Sequence, residues 1–284
     1  MAMPGIKVVT DSAQDFAPEF MEKRGIAVVP LTVHFGEESF KDGYELGGQA
    51  FYDKLTSSGI LPRTSQPSPA AFQEVFEKLT ADGSSVMAIT LSSGVSGTYQ
   101  SAVIARADLP GRDITVIDSK QASCGHGLMA IRASEMAHAG EPLEKIVAAV
   151  NKMIASMVTL FSVDTLDYLA KNGRIGRAQH FLGTLLKMKP ILSLDKEGFV
   201  TAVERVRGKG KVIPRLVEVA EERAGTKRLQ ALAISHANCP DDARRLKEAV
   251  LQRFETDEVY ESQIGPVIGS HAGPGTIAMF LMPK

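Results

Sequence analysis

The sequence predicts an α/β protein with two domains: a parallel-sheet domain with helices on both faces at residues 1–155, and an α+β domain at residues 156–284. Three observations predict this architecture. The chain has 284 residues, against roughly 150 for a typical domain. In its first half, short apolar runs alternate with helical patterns, which is typical of parallel sheets. In its second half, β-rich runs flank the turn-forming residues 195–198, which favours antiparallel pairing.

The first half contains four predicted strands, at residues 6–10, 26–35, 86–91 and 114–117. Asp11-Ser12 follows the first strand and resembles a helix N-cap, because its side-chain oxygens can accept hydrogen bonds from free backbone N–H groups. Ser68-Pro69 has the same capping character, with proline at the first helical position. Helices are therefore expected over residues 69–79, over residues 99–107 and after residue 119.

The second half begins with a predicted helix at residues 143–157. Strands are expected at 158–163, 190–194, 199–206 and 229–234, and helices at 209–223 and 241–254. Residues 264–283 carry no charged side chain and are long enough to span a bilayer. Their glycines and prolines do not suit a lipid-exposed helix. We therefore expect a glycine-rich loop followed by a buried strand, and no transmembrane segment.

Composition excludes several classes of protein. Hydrophobic residues make up 44% and charged residues 23% of the chain, which excludes global disorder and a coiled coil. A net charge of −1 argues against attraction of the whole molecule to nucleic acid. The two cysteines form no Cys-x-x-Cys motif, and the amino terminus lacks the apolar stretch of a signal peptide. These features predict a reducing, cytoplasmic environment.

Hydroxyl and carboxylate side chains lie at the predicted carboxyl ends of the strands of the first half or in adjoining loops. They are Asp11-Ser12, Thr64-Ser65, Ser92-Ser93 and Asp118-Ser119. The carboxyl edge of an open parallel sheet is where ligands bind, and hydroxyls facing helix amino termini there suit an anion. Each pair alone is explained as a helix cap, but together they favour a polar binding site.

The sharpest local signal is the loop of residues 92–98, with the sequence SSGVSGT. Its glycines permit close approach of the backbone to a ligand. It lacks the lysine of a P-loop and does not match G-x-G-x-x-G or the G-x-S-x-G elbow. A nucleophilic serine would also need a positioned base, so the pattern favours binding over catalysis by Ser93.

Other polar residues give weaker signals. None of the six histidines has a metal-ligand spacing, so no metal is expected. His271 lies among glycines at 269, 273 and 275, where a ligand could approach closely. Arg174, between two glycines, could end a helix or donate to a carboxylate. Residues 205–211 are basic, which fits either an exposed loop or a docking surface for phosphate or an acidic partner.

Taken in chain order, these motifs resemble the DegV family of fatty-acid-binding proteins, which includes the FakB subunits of bacterial fatty acid kinase. The similarity covers nearly the whole chain. The matching segments are residues 9–12, 29–31, 64–68, 91–102, 118–119, 166–169, 173–175, 189–191 and 269–275.

The resemblance implies two α/β domains with a long-chain fatty acid buried between them and no other cofactor. It implies a network around the ligand carboxylate formed by three side chains: Thr64, Ser93 and His271. Ser65 and Ser92 would lie beside this network, and Arg174 would lie near the headgroup.

In the FakB-like members, a partner kinase phosphorylates the bound carboxylate and gives an acyl phosphate for phospholipid synthesis. Arg205 matches the position linked to that partner. The resemblance thus implies a substrate-presenting subunit of a fatty acid kinase without catalytic residues of its own, in transient contact with the membrane at most. Two alternatives stay open: an independent hydrolase or transferase using Ser93 with His271, and a lipid sensor whose basic loop docks on another protein.

Overall fold

The computed structural model describes residues 5–183 and 188–284. The strands of this part of the chain are β1 (Ile6–Asp11), β2 (Ile26–Val29), β3 (Thr32–Phe35), β4 (Glu38–Lys41), β5 (Arg63–Ser65), β6 (Ser85–Thr90), β7 (Ile114–Asp118), β8 (Val158–Ser162), β9 (Met188–Leu194), β10 (Val200–Arg207), β11 (Arg228–His236), β12 (Glu255–Gln263) and β13 (Ile277–Pro283). The α-helices are α1 (Pro18–Glu22), α2 (Gly48–Ser57), α3 (Pro69–Thr80), α4 (Thr98–Ala107), α5 (Cys124–His138), α6 (Leu143–Ser156), α7 (Asp167–Lys171), α8 (Val212–Ala224), α9 (Pro240–Leu251) and α10 (Pro266–Ala272).

A four-stranded parallel sheet forms the centre of the first half, in the order β2-β1-β6-β7. Helices α3 and α4 cover one face, where Phe72 and Phe76 are fully buried. Helix α5 covers the other face, where Met129 is buried in one apolar cluster with Val8 and Met87. The predicted parallel sheet with helices on both faces is confirmed.

A six-stranded sheet forms the centre of the second half, in the order β10-β9-β8-β13-β11-β12. Its strands are antiparallel except for the β11–β12 pair. Helices α8 and α9 pack on one face, with Leu216 and Leu246 buried. The expected hairpin at residues 195–198 joins β9 to β10, with Val200 paired to Leu194. The predicted α+β character is confirmed.

The predicted strand at residues 26–35 is in fact two strands in different sheets. Strand β2 joins the parallel sheet, whereas β3 pairs antiparallel with β4 and β5. The break falls at Pro30, which has no N–H group to donate within a sheet. The next N–H group, on Leu31, donates to the Ser12 hydroxyl instead, at 3.0 Å. In the three-stranded sheet formed by β3, β4 and β5, Thr64 lies opposite Val33.

The expectation of a glycine-rich loop before the final strand was wrong for residues 266–272, because they form α10. Pro266 stands in its first turn, where the missing N–H costs nothing. The Gly269 N–H donates to the Gly265 carbonyl at 2.7 Å, as in a regular helix. The strand expected after it is present as β13. No helix among residues 5–183 and 188–284 is long and apolar enough to cross a membrane.

Helices α5 and α6 lie between the two large sheets. One cluster of buried side chains includes Met129 on α5, Val150 on α6, Ile89 on β6, and Ala233 and Phe280 on the six-stranded sheet. The two halves of the chain are thus joined by continuous apolar packing. The division into domains at residues 1–155 and 156–284 stays a prediction.

Candidate functional site

A partly open cavity of about 370 Å³ lies between the loops that follow the parallel strands and one face of the six-stranded sheet. Most of its wall is apolar. The apolar lining residues are Leu31, Leu91, Val95, Ala122, Phe161, Leu169, Leu194, Val200, Ile264, Val267, Ile268, Ala272, Ala278 and Phe280. The polar lining residues are Thr64, Ser65, Gln66, Ser96, Ser123, Thr159, Arg174, His271 and Thr276.

Thr64, His271 and Arg174 form a polar group at one part of this wall. The Thr64 hydroxyl lies 2.8 Å from Nε2 of His271, on α10. Arg174 follows α7 and donates from Nε to the Val95 carbonyl at 3.2 Å and from Nη1 to the Asn172 carbonyl at 2.8 Å. These bonds hold the guanidinium group close enough to His271 to affect its protonation. The structure therefore brings three of the six residues expected at the ligand together.

His271 is neutral at physiological pH. Burial lowers its pKa to about 4, and the positive charge of Arg174 acts in the same direction. Its Nδ1 atom is buried and makes no hydrogen bond within the described residues. A buried polar nitrogen without a partner costs free energy, which an oxygen atom of a ligand would recover.

The hydroxyl loop at residues 92–98 meets the β9–β10 hairpin. The Ser92 side chain is fully buried, donates to the Gly198 carbonyl at 3.0 Å and accepts from the Gly94 N–H at 3.1 Å. A Cβ atom on Gly94 would lie 2.7 Å from the Gly198 backbone, so only glycine permits this approach. Ser92 therefore joins the two halves of the chain and does not line the cavity.

Ser93 and Ser65 have different surroundings from those of Thr64. Ser93 is exposed, and its hydroxyl accepts from Nζ of Lys120 at 3.2 Å; it does not line the cavity. Ser65 lines the cavity, and its hydroxyl lies 2.6 Å from Nε2 of His34. The Ser93 hydroxyl is bonded to Lys120, whereas His271 is bonded to Thr64, so Ser93 and His271 do not form the hydrogen-bonded pair of nucleophile and base that a serine hydrolase needs.

Two buried carboxyl groups hold α10 in place, and neither was singled out from the sequence. Asp15 accepts the Gly265 N–H at 2.9 Å, and Asp42 accepts the Val267 N–H at 3.1 Å and the Ser12 hydroxyl at 2.6 Å. They occupy the amino-terminal end of the helix that carries His271, where acceptors and negative charge are favourable. Neither aspartate belongs to a local sequence motif that would predict its contact with α10, because each contact joins residues more than 200 positions apart.

Burial raises the pKa of Asp42 to about 7, although the hydrogen bonds from Ser12 and Val267 act in the opposite direction. Burial also raises the pKa of Asp15 well above its usual value. The negative charge of Asp11 adds to both shifts. The support beneath α10 is therefore sensitive to pH within the neutral and mildly acidic range.

Ser96, Gln66 and Ser123 also line the cavity and were not singled out from the sequence. Ser96 belongs to the hydroxyl loop, so its position in that motif was a usable signal. Ser123 has a φ of 55°, a conformation that costs free energy for a residue with a side chain. Sequence patterns give no signal for that conformation.

Arg205 lies outside the cavity. It is exposed on β10, with its guanidinium 4.6 Å from the centre of the Phe181 ring. Val200, at the other end of β10, lines the cavity, and five residues of strand span about 17 Å. Arg205 is therefore exposed and too far from the cavity to contact its content.

Comparison with known proteins identifies the family. A family model described as "Uncharacterised protein, DegV family" matches residues 5–284. A DegV domain-containing protein from Caldanaerobacter subterraneus is 36% identical over 282 residues, which cover 99% of this chain and 100% of the relative. Protein DegV from Bacillus subtilis is 34% identical over 275 residues, which cover 96% and 98%.

Solved structures agree. A DegV family protein from Thermus thermophilus, described by its fatty acid binding, has a TM-score of 0.93 and 35% identity, with 99% of this chain and 100% of that chain covered. DegV from Bacillus subtilis, described as a fatty acid binding protein, has a TM-score of 0.88 and 33% identity, with 98% and 99% covered. A stearic acid-binding protein from Eubacterium ventriosum has a TM-score of 0.88 and 26% identity, with 98% of each chain covered. With matches over nearly its whole length in sequence and fold, this chain belongs to the DegV family.

Proposed function

We propose that this protein binds a long-chain fatty acid in the cavity and presents its carboxylate to a partner fatty acid kinase. The observation that carries the proposal is a largely apolar cavity with Thr64, His271 and Arg174 together in its wall. The fatty-acid-binding structures of similar fold support it.

The size of the cavity suits an acyl chain. A methylene group at liquid density takes about the volume of a water molecule, ~30 Å³, so a cavity of about 370 Å³ holds roughly 12 such groups. The tighter packing of protein interiors raises this to about 16. Burying 12 methylenes at ~0.8 kcal/mol each contributes about 10 kcal/mol, from which the cost of association and ordering is subtracted.

The carboxylate is assigned to the group formed by Thr64, His271 and Arg174. A buried carboxylate needs hydrogen-bond donors, and these side chains provide a hydroxyl, an imidazole and a guanidinium. Ser65 and Ser96 would add hydroxyls from the same wall. Ser92 would hold the hydroxyl loop in place, and Ser93 would contribute only if that loop turns its hydroxyl inward.

The polar part of the cavity adjoins the surface, which a presenting subunit requires. Ser65 and Gln66 both line the cavity and are exposed. A carboxylate held beside them would be within reach of a partner enzyme that supplies ATP. Exposed Arg205 would contact that partner, and the acyl phosphate formed would serve phospholipid synthesis. Two free cysteines accord with the proposed cytoplasmic location.

Mass spectrometry of the purified protein after denaturation tests the binding function. A fatty acid should be released in stoichiometric amount, and delipidated protein should take up added palmitate. Thr64→Val keeps the shape of the side chain and removes its hydroxyl, so we expect palmitate to bind roughly 10- to 150-fold more weakly, the loss typical of one hydrogen bond to a charged group. Absence of both released and added fatty acid would contradict the proposal.

A matched pair of variants separates two serines of the same loop. Ser96→Ala changes a hydroxyl in the cavity wall, whereas Ser93→Ala changes an exposed one. We expect the Kd for palmitate to rise in Ser96→Ala. A rise confined to Ser93→Ala would assign the carboxylate contact to Ser93.

The presentation step is tested with a bacterial fatty acid kinase catalytic subunit, ATP and palmitate-loaded protein. Acyl phosphate, trapped as the hydroxamate, should form only when both proteins are present. Arg205→Ala should slow its formation while leaving the Kd for palmitate unchanged. Arg228→Ala, which alters an exposed arginine at the start of β11, serves as the control.

A further inference from the structure

One row of side chains crosses four neighbouring strands at the end of the cavity. Val200 pairs with Leu194, and Phe280 pairs with Thr159. Continuing the antiparallel register from the Phe161–Leu192 pair places Thr159 opposite Leu194. Side chains at paired positions point to the same face of a sheet, and all four line the cavity. Leu194 ends β9 and Val200 begins β10, so this is the last row of the sheet on those strands.

The Thr159 and Phe280 part of this row lies away from His271. Thr276, whose hydroxyl is bonded to the Ala272 carbonyl at 2.9 Å, marks the end of the cavity next to α10. Phe280 lies four residues further along β13, about 13 Å away at the rise of an antiparallel strand. An acyl chain whose carboxylate is held at His271 therefore points its methyl end toward Thr159 and Leu194.

A second cleft, of about 510 Å³, lies behind the row. Thr159 and Leu194 line this cleft as well as the cavity. The cleft is more polar, since Ser193 and exposed Arg223 line it and are hydrogen-bonded to each other at 3.1 Å. Two side chains thus separate an apolar space from a polar, solvent-facing one.

We propose that Thr159 and Leu194 form a partition that sets the maximum length of the acyl chain. This inference rests on the proposed fatty-acid binding and adds the determinant of its chain-length preference. Each methylene buried within the cavity tightens binding about fourfold. A methylene beyond the partition would have to displace Leu194 or enter the polar cleft, and neither gives that gain.

Thr159 is the fixed part of the partition and Leu194 the adjustable part. The Thr159 hydroxyl donates to Oε1 of Gln121 at 2.6 Å, and its carbonyl accepts from Ser193 at 2.7 Å. Replacing Thr159 would leave the buried Gln121 oxygen without this donor. Leu194 has only apolar side-chain atoms, so its size can be changed without loss of a hydrogen bond.

The test is a binding series with saturated fatty acids of 12 to 20 carbons on delipidated protein. In the unmodified protein, affinity should rise with length and then level off or fall. In Leu194→Ala, the chain two carbons beyond that optimum should bind about tenfold more tightly than it does to the unmodified protein. In Leu194→Phe, the optimum should shorten by about two carbons, which gives a second measurement if the alanine variant does not fold.

Leu169→Ala is the matched control, because Leu169 lines the cavity but not the second cleft. It should weaken binding without lengthening the preferred chain. Equal length profiles in the unmodified protein and both Leu194 variants would overturn the partition while leaving fatty-acid binding intact. The same lengthening in Leu169→Ala would also overturn it. Lack of binding of every fatty acid to the unmodified protein would instead contradict the proposed function itself.

Discussion

Asp42→Asn should flatten the dependence of stability on pH in mildly acidic solution. Because burial raises the pKa of Asp42 to about 7 from 3.8, the native protein holds a proton between these values that the unfolded chain has lost. Stability from this group is therefore greatest at low pH and falls as pH rises toward 7. A shift of about three units corresponds to at most ~4 kcal/mol.

Asparagine is neutral at every pH but retains an oxygen that can accept the Val267 N–H, and its amide can donate to the Ser12 hydroxyl. The free energy of unfolding of Asp42→Asn minus that of the unmodified protein should therefore increase by up to ~4 kcal/mol between pH 4 and 7. Urea denaturation at half-unit pH steps measures this difference, in which unaltered groups largely cancel. Asp53→Asn, on the exposed face of α2, is the control. A difference curve that is flat, or that falls with pH, would refute the reasoning.

Three other variants test separate contacts. His271→Asn should change the pH dependence in the opposite sense, since the native pKa of about 4 makes stability rise between pH 4 and 6.5; the same denaturation series measures it, and an unchanged slope would contradict a buried neutral histidine. Arg174→Met should raise the pKa of His271, because a positive charge that lowers it is removed; NMR titration of the imidazole checks this, and a lower value would be contrary to expectation. Gly198→Ala should lower stability by about 1–3 kcal/mol, because the φ of Gly198 is 84° and a Cβ atom would strike the Ser92 hydroxyl. Calorimetry measures the loss, with Lys196→Ala as the control. Equal stabilities of Gly198→Ala and the control would contradict a close contact between Gly198 and Ser92.

Local signals predicted the fold well wherever a strand and the cap after it lie close in sequence. Asp11 caps the short 3₁₀ turn after β1 through the Ala13 N–H, and Ser68 caps α3 through the Ala71 N–H. Such contacts span two or three residues, so the sequence alone specifies them. Sequence reasoning also singled out Thr64 and His271, and both residues line the cavity. Thr64, however, lies within β5 of the antiparallel sheet and not at the edge of the parallel sheet where it was expected.

Contacts between distant segments could not be predicted in this way. Helix α10 was expected to be a loop because its glycines and prolines oppose helix formation. Its amino-terminal N–H groups are nevertheless satisfied by Asp15 and Asp42, and Gly269 fits against Phe51 and Tyr52. Tertiary partners more than 200 residues away thus outweigh local propensity. The position of Ser93 is similar, since its hydroxyl accepts from Lys120 and its N–H donates to Asp118, and both partners lie outside its loop.

Helix α10 connects these observations, since its two ends meet different kinds of group. At its start, its free N–H groups donate to Asp15 and Asp42, which belong to the first half of the chain. Near its end, His271 is hydrogen-bonded to Thr64 of β5. Each acceptor at the start becomes charged as pH rises, which strengthens its hydrogen bond to an N–H group but adds repulsion between the buried carboxylates. A change there alters the support of the whole two-turn helix, because its backbone is hydrogen-bonded from end to end. We therefore expect the geometry of the polar group at Thr64 and His271 to depend on the protonation of Asp15 and Asp42, which do not lie beside Thr64. Asp42→Asn should then reduce the pH dependence of palmitate affinity along with that of stability.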